Sequence, residues 1–236
     1  MKAVILAGGL GTRLKPFTEV IPKPLLPIGE KAILQIQIEH LREHGFRHIY
    51  LATNYKSEYI SQFFGDGSRL GVHLEISKEE TPLGTAGPLS LLRDKLDAPF
   101  LVMNGDILTL ANLGHLHAFA AQQESLLTIA IKKEIFPFRF GNITFEKDRV
   151  THIEEKPDFV TWILAGIYIM KPALLERIPD GEVFGMDALI KGMLADHLPV
   201  SKFELRDYWL DIGKVDDFEK AQEDYIRHFN EGKTTG

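Results

Sequence analysis

The sequence predicts an α/β fold, a sheet with helices packed on both faces, and three observations predict it. Short β-rich runs alternate with amphipathic helical stretches through the first half. Two apolar runs break off directly into glycine, and the second half is strand-rich with no Pro/Ser linker, repeat or low-complexity tract dividing it from the first. One domain over residues 1–229 is therefore expected, with the polar end 230–236 frayed.

Taken in order, the strand candidates of the first half are "KAVILA", "HIYLAT", "VHLEIS" and "FLVMNG". Between the first two, "AILQIQIEHLREHG" places Ile33, Ile36, Gln37 and Leu41 on one face and stops at Gly45, as a crossover helix does. A second helical stretch, "SEYISQFFGDGS", ends in the turn from Gly65 to Ser68. A third begins after "TPLGTAGP", where Pro88 suits a first helical turn. Later, "LLTIAIK", "FGNITFEKDRVTHIEEKP" and "WILAGIYIM" read as strands, the middle one folding back near Lys147 and Asp148, so the sheet there is expected to be mixed. "VDDFEKAQEDYIRHF" aligns Val215, Phe218, Ala221, Tyr225 and Phe229 as a docked helix.

With 236 residues, 44% of them hydrophobic and 25% charged, the chain can bury a substantial core. Zero cysteines exclude disulfides, a cysteine nucleophile and thiolate-held metals, and fit a cytoplasmic setting. A net charge of −6 argues against nucleic acid as a partner, and no run is long enough to span a membrane. A monomer and a homodimer are equally compatible with the sequence.

The loop "LAGGLGTRLKP" follows the first strand. A dinucleotide fingerprint needs a glycine where Leu14 stands, and a P-loop needs a lysine and hydroxyl at another spacing, so neither applies. What remains is Gly8, Gly9 and Gly11, which let backbone N–H groups approach an anion, followed by Thr12 and Arg13. Lys23, held between two prolines in "PKP", adds a point charge. Two cations beside a glycine loop point to a polyphosphate, and a plain turn with solvated cations is the alternative reading. Asp106 follows "FLVMNG" and Asp211 ends "YWLD"; either caps a turn, or the two together hold a hard cation such as Mg²⁺.

"LAGGLGTRLKPFTEVIPKPLLPI", followed in order by "EETPLGTAGPL", "NGD", "IEEKP", "AGIYI" and "WLDIG", resembles the sugar-1-phosphate nucleotidyltransferases, the pyrophosphorylases that make nucleotide sugars. Mannose-1-phosphate guanylyltransferase catalytic domains are the most similar branch, with heptose-1-phosphate guanylyltransferases and muramate-1-phosphate uridylyltransferases near. The resemblance implies a Rossmann-like nucleotidyltransferase fold with a mixed, mostly parallel sheet, and a Mg²⁺-dependent reaction of an NTP with a sugar 1-phosphate. It implies GTP and a mannose- or manno-heptose-type sugar. Uridylyl transfer to an amino or muramic sugar is the alternative, and an inactive nucleotide-sugar-binding subunit is the reading from another class.

Carried onto this chain, the resemblance assigns catalysis to Arg13 and Lys23 and metal binding to Asp106 and Asp211. Nucleotide contacts fall to Leu6, Ala7, Gly8, Gly9, Gly11, Thr12, Pro82, Gly84, Thr85 and Gly87. The sugar phosphate falls to Gly141, Glu155, Lys156 and Gly166. Two departures bear on the sugar: Leu164 stands where the guanylyltransferases carry asparagine, and Phe140 with Asn142 replaces a Tyr-Gly-Val pattern. The β-helix domain of larger relatives is not expected. His40 with His44 and His115 with His117 are read as surface histidines, and "EEKP" taken alone is a solvated charge cluster closing a hairpin.

Overall fold

The computed structural model describes residues 1–54 and 56–229, so the expected frayed tail lies outside the described residues. In chain order the first strands are β1 (Lys2–Leu6), β2 (Pro27–Ile28), β3 (Lys31–Ala32), β4 (His48–Thr53), β5 (His73–Lys78), β6 (Phe100–Asn104) and β7 (Ile107–Thr109). The later ones are β8 (Leu127–Pro137), β9 (Asn142–Glu146), β10 (Arg149–Glu154), β11 (Asp158–Met170), β12 (Val200–Leu205) and β13 (Trp209–Asp211). The α-helices are α1 (Phe17–Val20), α2 (Ile33–Glu43), α3 (Ser57–Phe64), α4 (Leu113–Ala121), α5 (Met186–Ala195) and α6 (Val215–His228).

Seven strands form the central sheet in the order β12-β8-β11-β6-β1-β4-β5. β1 pairs in parallel with both β4 and β6, and β4 with β5, while β11 runs against both β6 and β8 and β12 is parallel to β8. The sheet is mixed and mostly parallel, as expected. From β1 the chain builds outward to β4 and β5 and then returns to place β6 on the other side of β1. That reversal opens a crevice at the carboxyl ends of β1 and β6, where open α/β sheets bind ligands.

Alternation along the strands explains two cores. Ala3 and Ile5 of β1 join one cluster with Leu34, Ile38 and Leu41 of α2, whereas Val4 joins another with Leu89, Met186 and Leu189. A third cluster, lying beside the sheet, gathers Leu14, Leu26, Ile28, Leu108, Ile212, Ala221 and Tyr225 and docks α6. Leu14, the residue that breaks the dinucleotide fingerprint, is fully buried in that cluster.

The third expected helix forms as a 3-10 helix, Gly87–Lys95, in place of an α-helix. Its proline lies in the first turn, and Arg93 ties its end to the carbonyls of Leu175 and Ile178 at 3.2 and 2.9 Å. The hairpin turn falls where expected, between β9 and β10, with Lys147 at φ 51°. The sequence reading passed over β12, α4, α5 and the short strands β2, β3 and β7. Leu14→Ala is expected to lower the unfolding free energy by about 2–5 kcal/mol in urea titrations, since it empties the contact between the glycine loop and α6. A loss below ~1 kcal/mol would sink this account of the third core.

Candidate functional site

A cavity of about 170 Å³ opens at the crevice between β1 and β6, lined among others by Leu6, Ala7, Gly9, Gly11, Thr12, Arg13, Lys23 and Asp106. Gly11 turns the chain there at φ 61°, and a Cβ on it would stand 2.8 Å from Thr18 Cγ2 and 3.2 Å from Lys23 Cβ. Its carbonyl accepts from the Thr18 hydroxyl at 2.8 Å and from Leu14 N–H at 2.9 Å. The loop is thus a fixed turn that brings Arg13 and Lys23 to one opening. Lys23 begins a 3-10 helix, Lys23–Leu25, with Pro22 as its cap, so two prolines restrict the backbone that carries the ammonium.

Lys23 Nζ donates to Asp106 Oδ2 at 2.6 Å, with the lysine side chain 10% and the aspartate side chain 26% exposed. The second oxygen, Asp106 Oδ1, is buried and has no hydrogen-bond partner. Two contacts hold the Asp106 loop in place. Gly105 N–H donates to Leu6 O at 2.9 Å, an approach a side chain would block, and Gln37 Nε2 donates to Asn104 O and Ile107 O at 3.0 and 2.7 Å. Gln37, expected only as a helix-face residue, is therefore a positioning residue for the aspartate.

Asp211 arrives from the far end of the chain. β13 pairs with β7, setting Asp211 opposite Ile107, and Ile212 N–H donates to Asp106 O at 2.9 Å. Although Asp211 is exposed by area, desolvation and the neighbouring Asp106 hold its carboxyl above the ordinary aspartate value, with Lys23 and Arg13 pulling it back down. The Arg13 guanidinium lies over Gly213, 3.6 Å from where a Cβ would sit. Two neighbouring carboxylates and an orphaned buried oxygen are donors that suit a hard divalent cation.

The remaining expected residues are not part of the cavity lining. Gly8 packs against the end of β5, where a Cβ would stand 2.8 Å from Glu79 Oε1 and 3.4 Å from Asn54 N. Pro82 is exposed, and Gly84 and Gly87 pack so tightly on the backbone of Glu182 and Phe184 that added Cβ atoms would come within 2.7 and 2.5 Å. Thr85 Oγ1 accepts Met186 N–H at 2.8 Å at the start of α5. These residues have packing roles in addition to the nucleotide role the resemblance implies. On the exposed arm built by β8 to β11, Gly141 lies next to Glu155, and Lys156 takes φ 48° with its ammonium 3.8 Å from Glu155. Gly166 is buried against Asn104 at the end of β6. None of Gly141, Glu155, Lys156 and Gly166 lines the cavity itself.

Glu79 was missed by the sequence reading. It is 5% exposed, takes Leu83 N–H on Oε2 at 2.9 Å, and burial pushes its carboxyl above the ordinary glutamate value against the opposing pull of that N–H. Its only sequence signal is its place as the first glutamate of "EETPLGTAG", one residue past the end of β5. His40 and His44 are spent on the carbonyls of Ala111 and His40.

The nucleotidyl transferase family model matches residues 2–228. Among curated proteins, "Probable mannose-1-phosphate guanylyltransferase 1" of Oryza sativa subsp. japonica is 39% identical over 92% of this chain and 63% of its own length. The catalytic subunit beta of mannose-1-phosphate guanylyltransferase of Danio rerio is 38% identical over 92% of this chain and 62% of its own. The chain therefore spans somewhat under two thirds of the curated relatives it matches. Among solved structures, HddC from Yersinia pseudotuberculosis is 30% identical with a TM-score of 0.74, covering 95% of this chain and 99% of that one. The same protein has been solved complexed with GMP-PN, with a TM-score of 0.73 to this chain.

The repulsion between the two aspartates yields a test on metal-free protein. Asp211→Asn is expected to raise the unfolding temperature at neutral pH, because ionising Asp211 costs more in the folded than in the unfolded chain. That gain should fade as pH falls below the ordinary aspartate value of 3.8, where both states are protonated. Equal or lower stability of the variant at neutral pH would mean the carboxylates do not oppose each other.

Proposed function

The chain belongs to the nucleotidyl transferase family, and from that premise we propose that it transfers a guanylyl group from GTP to a sugar 1-phosphate of the mannose or manno-heptose type, releasing pyrophosphate. The observation that carries this reading is the convergence of Arg13, Lys23, Asp106 and Asp211 at one glycine-turned opening between β1 and β6. Relatives named as mannose-1-phosphate guanylyltransferases support the substrate class. A cytoplasmic setting belongs to the same proposal and is supported by the cysteine-free composition. No helix among the described residues is long and apolar enough to cross a membrane.

The reaction is an in-line displacement at the α-phosphorus. The sugar-phosphate oxygen that attacks is already ionised near neutrality, so the chain has no need of a strong general base. Lys23 is anchored by Asp106 and nearly dehydrated, which makes it a fixed positive charge for the two anionic substrates as they approach. Arg13, at the exposed rim, is placed to neutralise the departing pyrophosphate. Backbone N–H groups of the Gly8 to Gly11 turn cradle the phosphates, while Lys156 and Glu155 on the arm receive the sugar phosphate. Asp106 and Asp211 would hold Mg²⁺, which when bound supplies charge neutralisation to the phosphate oxygens.

Glu79 supports GTP over UTP. Leu83 N–H occupies Oε2, and Oε1 faces Gly8, leaving a carboxylate that only accepts. The Watson–Crick edge of guanine offers two adjacent N–H donors, whereas uracil presents an acceptor beside a single donor. A carboxylate therefore matches the first and is left facing a carbonyl in the second.

A matrix of NTPs against sugar 1-phosphates, read by pyrophosphate release, tests the proposal. GTP with a mannose-type substrate should turn over fastest, and turnover with UTP far above GTP would reject the base assignment. Arg13→Ala and Lys23→Ala should each lower kcat by about 10²–10³-fold in a chain that still folds; near-normal turnover would remove the role from that residue. Glu79→Gln keeps an acceptor for Leu83 N–H but adds a donor, so it should fold normally and narrow the preference for GTP over UTP. An unchanged base ratio would show that Glu79 does not read the base.

A further inference from the structure

At the end of the sheet opposite the nucleotide cavity, β4 and β5 begin side by side. Their register sets His48 against His73 and Tyr50 against Glu75. Side chains alternate along a strand, so His48, His73 and Glu75 rise from one face, His73 and Glu75 two residues apart. One ligand atom from each lies within 4.8 Å of the other two. The two imidazoles meet edge to face at 4.5 Å between ring centres, and His48 Nε2 stands 3.9 Å from Glu75 Oε2. His48 Nε2 is buried and has no hydrogen-bond partner, which is costly unless something else takes its lone pair.

We propose that His48, His73 and Glu75 form a site for a divalent transition-metal ion of the zinc type, a staple between β4 and β5 separate from the aspartate pair.

Two imidazoles and one carboxylate are the donor set of open tetrahedral zinc sites, whose donors stand about 3.3 Å apart when each is about 2 Å from the ion. Closing from the present separations needs side-chain rotation only, because the exposed His73 ring is free to turn while the paired strands stay in register. His48 is stacked on Tyr50 at 4.7 Å between ring centres, which fixes the orientation of its ring. The charged surroundings are cationic: Lys95 contacts Glu75 through Oε1, and Lys2 and the N-terminal amine stand near His48. Lys95 therefore leaves Oε2, the oxygen facing His48, to the ion. Burial first, then His73, Lys2, Lys95 and the N-terminus, hold the His48 imidazole below its ordinary value, so it is neutral and able to ligate at neutral pH. Imidazole donors favour Zn²⁺ or Co²⁺, whereas the all-oxygen aspartate pair favours Mg²⁺, so the two sites separate by ion chemistry.

Titrating the full chain with Co²⁺ in excess Mg²⁺, followed by visible absorption, tests the site, together with the shift of unfolding temperature in Zn²⁺. Wild-type protein should take up one equivalent, develop tetrahedral cobalt bands and melt higher in Zn²⁺. His73→Ala and Glu75→Gln should each weaken uptake by at least ~100-fold, while turnover of the His73→Ala protein in Mg²⁺ stays normal. Asp211→Asn should leave the cobalt bands intact. No uptake by wild-type protein in excess Mg²⁺, or bands that survive His73→Ala, would overturn the proposal.

Discussion

The contact between Lys23 and Asp106 is the constraint on which the rest of the site depends. A lysine ammonium and a carboxylate meet at 2.6 Å with little solvent around the lysine, and each is costly to bury without the other. The pair ties the segment after the glycine loop to the segment after β6, which are more than eighty residues apart in sequence. It also orients Asp106 so that one oxygen is satisfied while the other is buried without a hydrogen-bond partner. The charges proposed for catalysis and the charges that join the two segments are here the same groups.

Topology explains why such a contact arises at this place. Because the chain reverses direction of growth across β1, the carboxyl ends of β1 and β6 lie side by side, and the segments that follow them meet there. Glycines at positions 11 and 105 permit the close approach, and Gln37 on α2 holds the loop carrying Asp106 from behind. The ribbon of β7 and β13 then delivers Asp211, while α6 packs Ile212 and Leu14 into one small core. A single hydrophobic cluster thus sets the relative positions of the arginine that follows the glycine loop and the second aspartate.

Much of this was legible in the residues. Apolar runs two-sided in burial marked β1, β4 and β6, and the spacing of Ile33, Ile36, Gln37 and Leu41 marked α2, whose four residues are all buried. The short strands β2, β3 and β7 and the longer β12 were not, because strands of two or three residues carry no period and β12 alternates with charged positions. The 3-10 geometry of Gly87–Lys95 was equally hidden, since its apolar spacing serves either helix. Within the site, Asp106 and Asp211 were legible as carboxylates at strand ends, and Arg13 and Lys23 as cations beside the glycine loop. Glu79 and Gln37 were not, for a buried polar side chain looks like any surface glutamate or glutamine until its partners are known. His48 and His73 are unremarkable in sequence, and only the parallel register of β4 and β5 makes them neighbours.

By itself, then, the sequence determined what is local: which segments take β or helical form, where the chain must turn without a side chain, and which charges flank the glycine loop. Periodicity and backbone stereochemistry act over a few residues, so a few residues suffice to read them. Tertiary structure alone decided which distant groups share a site, which carboxylates are desolvated and which imidazoles face each other. Those properties depend on strand order and on what excludes water from a given atom, and both are set by the packing of the whole chain.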